Sequence, residues 1–140
     1  MTQTRIYLPL TPSDVQALAE RREVGPAPVA AYAVTRRLER SLPTADEEEW
    51  EYAALTEAVE AAEAAQGTMV AKRVVAAADV DPAWVEDDAT RDGLGAVRVT
   101  SPVPLRLVVS LHVDETAGDQ GMEDLLWYDV TELDEVLRIL

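Results

Sequence analysis

The chain has no cysteine, which excludes disulfides, thiolate metal ligands and a cysteine nucleophile. Phenylalanine and asparagine are also missing, and there is one lysine, Lys72, and one histidine, His112. Positive charge is scarce: 12 Lys and Arg face 27 Asp and Glu, for a formal net charge of −15. A surface so negative repels nucleic acid, anionic lipid and phosphate-rich substrates, so direct binding to nucleic acid or membrane is not expected. No stretch approaches the roughly 20 apolar residues of a spanning helix. The start Met1-Thr2-Gln3-Thr4-Arg5 leads into a short apolar run broken by Pro9, not into a signal-peptide core. A cytoplasmic location is the expectation.

The charge that is present is segregated. Residues 1–43 hold six Arg and four acidic residues, whereas residues 44–140 hold six basic and 23 acidic ones, giving +2 and −17. A chain of 140 residues fits one domain, 1–140, able to bury roughly two-thirds of its unfolded surface. The ratio of 11 Arg to one Lys, together with 22 Ala, points to codons drawn from a GC-rich genome.

Arg5-Ile6-Tyr7-Leu8 reads as a short strand ended by Pro9. A helix follows, with Thr11 as N-cap, Pro12 at the first helical position and Asp14 completing a capping box; Val15, Leu18 and Ala19 form its inner face. Gly25 and Pro26 stop it, and residues 28–34 read as a second strand. Thr44 and Glu47 have capping-box spacing for a long helix that Gly67 terminates. Leu55, Ala58, Val59 and Ala62 share one arc of it, and Glu57, Glu60 and Glu63 fall outside that arc. Residues 72–80 have the composition of a strand buried on both faces. Residues 81–95 read as an acidic connection carrying Trp84, Asp87 and Asp88. Residues 96–100 and 105–113 read as strands, 115–123 as a loop, 125–130 as a last strand, and Thr131 as the cap of a terminal helix. About six strands intermixed with three or four helices point to an α+β two-layer sandwich with a mixed sheet.

His112 invites a catalytic reading, since Ser110, His112 and Asp114 share one strand face. Residues two apart on a strand are about 6.6 to 6.8 Å apart, against the roughly 2.6 to 3.2 Å that a nucleophile and its base require, which argues against a triad. His112 and Asp114 could reach one metal ion from that face, with Glu115 completing the shell; the competing reading is a strand-end histidine bonded to a nearby carboxylate. Neither acidic loop has the EF-hand spacing, and there is no phosphate loop, dinucleotide fingerprint or zinc motif. No cofactor is expected. Trp127 and Tyr128 point to opposite sides of the last strand, with core packing favoured for both. Trp84, in an acidic loop, is the aromatic expected to be exposed and to mark an interface.

Four segments together, Arg5-Ile6-Tyr7-Leu8-Pro9-Leu10-Thr11, residues 74–80, the run from Pro104-Leu105 to His112-Val113-Asp114-Glu115, and Leu125-Leu126-Trp127-Tyr128, carry a family likeness. The chain resembles a family of small acidic actinobacterial proteins known only as a domain of unknown function. That resemblance implies a cytoplasmic actinobacterial protein and brings no catalytic residues with it.

Two readings of function follow. The first is an interaction or regulatory module docking on a basic protein surface through Glu57, Glu60, Glu63, Trp84, Asp87 and Asp88. The second is a small enzyme or a metabolite- or metal-binding domain using His112 and Asp114, with Arg5, Arg98 and Arg106 available to an anion. The first is the preferred reading, with enzymatic activity left open and leaning against it.

Overall fold

A computed structural model describes residues 2–140. Strand β1 (Thr4–Leu10) leads into helix α1 (Pro12–Arg21), then β2 (Glu23–Val24), β3 (Val29–Ala33), α2 (Arg36–Ser41) and α3 (Glu47–Ala64). The second half runs β4 (Val74–Val80), β5 (Val85–Asp87), β6 (Ala96–Val99), β7 (Val103–Pro104), β8 (Val108–Asp114), β9 (Leu125–Asp129) and α4 (Leu133–Ile139). Seven strands form one sheet in the order β5-β6-β3-β1-β4-β8-β9, and β2 pairs with β7 in a separate ribbon. The chain adopts the α+β class expected for it.

Within the large sheet every pairing is antiparallel, so it is not mixed. Alternation along the central strands divides the core in two. On one face Ile6, Leu8, Val74, Ala76, Ala78, Leu111 and Val113 pack with Val15 and Leu18 of α1 and Leu133 and Val136 of α4. On the other, Tyr7, Tyr32, Val75 and Ala77 pack with Leu38 of α2 and Ala54, Ala58, Val59 and Ala62 of α3. Helices therefore cover both faces, and the sheet is a middle layer. The buried side of α3 is mostly alanine, which lets its backbone lie close to the sheet; Leu55 packs from the edge.

Local signals decide most element ends. The capping box at Thr11 and Asp14 forms as expected, with Asp14 N donating to Thr11 Oγ1 at 3.1 Å and Thr11 N donating to Asp14 Oδ2 at 2.9 Å. Helix α3 is capped instead by Asp46, whose Oδ1 accepts from Glu49 N at 2.9 Å, which leaves Thr44 outside the helix. Pro9 does not end β1: it stands opposite Val75 in β4, while β3 pairs with β1 only at Ile6 and Tyr7. Beyond Tyr7 the β3 side of β1 has no ladder for a proline to interrupt. Residues 105–107, expected as strand, form a 3-10 turn that leads into β8. Helix α2, capped by Thr35, and the short strands β2, β5 and β7 carry too few residues for periodicity to reveal them.

Candidate docking site

Helix α3 lies over β1, β3 and β4. The same sheet face continues past it onto β8 and β9, where Ser110 stands opposite Asp129 and His112 opposite Trp127. Trp127 is 60% exposed. His112 is half-buried, and burial together with the positive charge of Arg5 pushes its pKa below the ordinary value, so the imidazole is neutral at neutral pH. Arg5 is itself held by Asp79, with Nε donating at 2.6 Å and a second nitrogen at 3.1 Å, which raises its pKa further. Beside it, burial and then the Glu51 carboxylate push the Tyr7 phenol up to about 12, with the hydroxyl 3.5 Å from Glu51 Oε2.

Ser110 Oγ and His112 Nε2 come within 3.4 Å, closer than the spacing of their backbones suggests, because the two side chains lean together. The contact is longer than a working nucleophile and base require, and the third member of a triad is committed elsewhere. Both oxygens of Asp114 belong to Arg73: Oδ2 accepts from Arg73 N at 2.7 Å and Nε at 2.8 Å, and Oδ1 accepts from the terminal nitrogen at 2.8 Å. That nitrogen also donates to Gly121 O at 2.8 Å, and the ion pair is almost wholly buried. Glu115 is exposed and follows Asp114 out of the strand. His112, Asp114 and Glu115 are thus not gathered around a common point, and no cluster of three or more His, Asp or Glu side chains suited to a metal occurs among the described residues.

The six residues expected to meet a partner divide evenly. Glu60, Glu63 and Asp87 are exposed. Glu57 is turned inward: Oε2 accepts from Leu94 N at 3.1 Å and Oε1 from Gly95 N at 2.8 Å, tying α3 to the entry of β6. Asp88 is buried; Thr90 donates to it through its hydroxyl at 2.5 Å and its backbone N at 3.1 Å, and Arg91 Nε donates at 3.1 Å. These contacts, Thr90 foremost, hold the Asp88 carboxyl down at about 2. Trp84 is half-buried against the α1 side of the core, so it is not the exposed aromatic. That role falls to Trp127, with Tyr52 57% exposed on α3. Tyr128, one residue on, packs against the core as expected. Alternation puts one of Trp127 and Tyr128 on each face, but only the position of β9 at the sheet edge, beyond the reach of α3, leaves Trp127 uncovered.

Of the arginines considered for an anion, Arg5 is held by Asp79, and Arg98 by Glu86 at 3.4 Å and Asp88 at 3.7 Å. Arg106 is exposed beside Arg22 at the rim of a cavity of about 430 Å³ on the far side of the fold. A cleft of about 300 Å³ lies next to the β8–β9 loop, between Glu60 and Glu63 of α3 and Gln120, Gly121 and Met122. Residues 107–137 contain nine Asp and Glu and no Lys or Arg. Trp127 therefore stands exposed at the β9 edge of a predominantly acidic region, beside a β8 whose Ser110 and Asp114 are buried, with a neutral imidazole next to the indole.

No helix among the described residues is long and apolar enough to cross a membrane. No curated protein and no solved structure matches the chain. A family model does match it, over residues 4–137, nearly its full length, and the chain accordingly belongs to a family of unknown function, DUF6912.

Proposed function

We propose that this chain is a protein-interaction module that docks on a basic protein surface. The observation that carries the reading is Trp127, 60% exposed on a strand bordered by acidic residues with no Lys or Arg between positions 107 and 137. A large aromatic left in water is an anchor for association, and the surrounding charge speeds encounter and selects basic partners. Glu60 and Glu63 extend the negative rim across the neighbouring cleft; Glu57 and Asp88 contribute to the fold that presents it. The GC-rich coding bias supports an actinobacterial source, and a cytoplasmic setting and one folded unit over 1–140 complete the proposal.

The test is affinity capture from native lysate with wild type, Trp127→Ala and the double reversal Glu60→Lys, Glu63→Lys, at low and then moderate salt. Both variants change exposed side chains only, and matched melting curves check that each folds. The expected result is a basic protein held by wild type, lost from both variants and released as salt screens the contact. Capture that is indifferent to both variants and to salt overturns the reading.

A further inference from the structure

The two edges of the main sheet are built differently. Edge strand β5 has three residues, Val85, Glu86 and Asp87, and two of them are charged. A short strand carrying charge is the usual protection against pairing with another chain. Edge strand β9 has five residues, Leu125-Leu126-Trp127-Tyr128-Asp129, and its first four are uncharged. It pairs with β8 in regular register from Leu125 to Asp129, without a proline or a bulge. Its side chains stay open on both faces at its centre, where Leu126 is 38% and Trp127 60% exposed. Of the amides turned away from β8, Leu125 N donates to Met122 O at 3.4 Å and Asp129 N to Glu132 Oε1 at 3.0 Å, which leaves the Trp127 amide at the centre, with the outward carbonyls, as the template for one more strand.

Resting on the proposed role in binding a basic partner, we infer that β9 takes that partner as an added strand: an extended, basic segment of another protein pairs with its free edge. Charge chooses this occupant over a second copy of the chain. Of the nine acidic residues between positions 107 and 137, Asp114 is paired with Arg73 and Glu135 with Arg138, and the other seven form no ion pair among the described residues. Two copies joined edge to edge would set these residues against each other, with Asp124 and Asp129 at the ends of each strand. An incoming strand with Lys or Arg at alternate positions meets the same carboxylates as opposite charges. Its intervening apolar side chains fall beside Trp127 on one face or Leu126 on the other, according to register.

The experiment uses the full chain and a synthetic ten-residue peptide alternating Val or Thr with Lys or Arg. Three relatives of the peptide accompany it: one N-methylated at every second residue, one with Glu in place of the basic residues, and one with a central proline pair. Binding is read from indole fluorescence, with Trp127→Phe assigning the signal, and from hydrogen exchange along β9; sedimentation reports the oligomeric state. Strand addition predicts binding of the parent peptide, slowed exchange of the Trp127 amide, and a loss of about tenfold or more on N-methylation or proline insertion. The Glu peptide should not bind. Equal affinity for the N-methylated peptide, or protection confined to α3 and the 115–124 loop, overturns strand addition while leaving basic-partner docking intact. A dimer in solution broken by Trp127→Ala overturns it in favour of a second copy. No binding by any basic peptide also overturns it, and the capture experiment above then decides separately whether a basic partner docks at all.

Discussion

Arg22 occupies the left-handed region at φ 61°, where the chain turns out of α1. Its N–H donates to Leu18 O at 2.9 Å and its carbonyl accepts from Leu105 N at 2.9 Å, so the backbone is held there from both sides. At the other positive-φ positions among the described residues the chain places glycine. A side chain in this region costs about 1 to 2 kcal/mol, partly offset because glycine loses more freedom on folding. Arg22→Gly should therefore stabilise the fold by about 0.5 to 1 kcal/mol, seen as a higher urea midpoint at unchanged slope. His112 makes a prediction in pH. Its folded pKa lies below the ordinary 6.5, so above that value neither state carries the proton and the full stability is present. As pH falls below about 6.5 the unfolded chain binds a proton that the folded chain resists, and stability drops. His112→Gln should flatten the change in urea midpoint between pH 7.5 and 5.5. Asp88 acts in a separate window: held at about 2, it contributes stability that is present above the usual carboxylate range and lost as pH falls toward 2.

At the scale of elements, two contacts join segments distant in sequence. The Arg73–Asp114 pair locks the approach to β4 against the end of β8, with the guanidinium bound also to Gly121 in the following loop. Removing one partner strands a buried charge, so Asp114→Ala should cost about 3 to 5 kcal/mol, measured by denaturant unfolding. Gly95 is where α3 and β3 both close on the start of β6: a Cβ there would lie 2.6 Å from Ala33 O and 3.1 Å from Glu57 Oε1. Gly95→Ala should destabilise the fold and speed amide exchange at Ala33, which donates to Gly95 O at 2.9 Å. Long elements were legible from the chain because pattern and caps accumulate over many residues: β4, β8 and the inner arcs of α1 and α3 stand close to where alternation and helical spacing put them. Short ones were not. β5 and β2 are strands only because β6 and β7 lie beside them, and a partner brought from elsewhere in the chain leaves no mark on local periodicity.

For the whole molecule, charge and coverage work together. The net charge of −15 opposes compaction, and among the described residues few carboxylates are offset by close cations. Raising NaCl from 0.01 to about 0.3 M should raise Tm by screening this repulsion, and a scan at fixed pH checks it. A Tm that falls across that range would mean that the few ion pairs outweigh the excess acid. Composition determined the acidity and the absence of thiol chemistry, and local pattern along the chain the α+β class, because these are sums over the residues or periodicities within single elements. Tertiary structure decided which residues meet solvent. Glu57 and Asp88 were turned inward by backbone donors at Leu94, Gly95 and Thr90. Asp114 was claimed by an arginine 41 residues away. Trp84 packed against the core while Trp127 was left outside it. Exposure depends on which element comes to lie over a residue, and that is settled by long-range packing, not by the residue's neighbours in sequence.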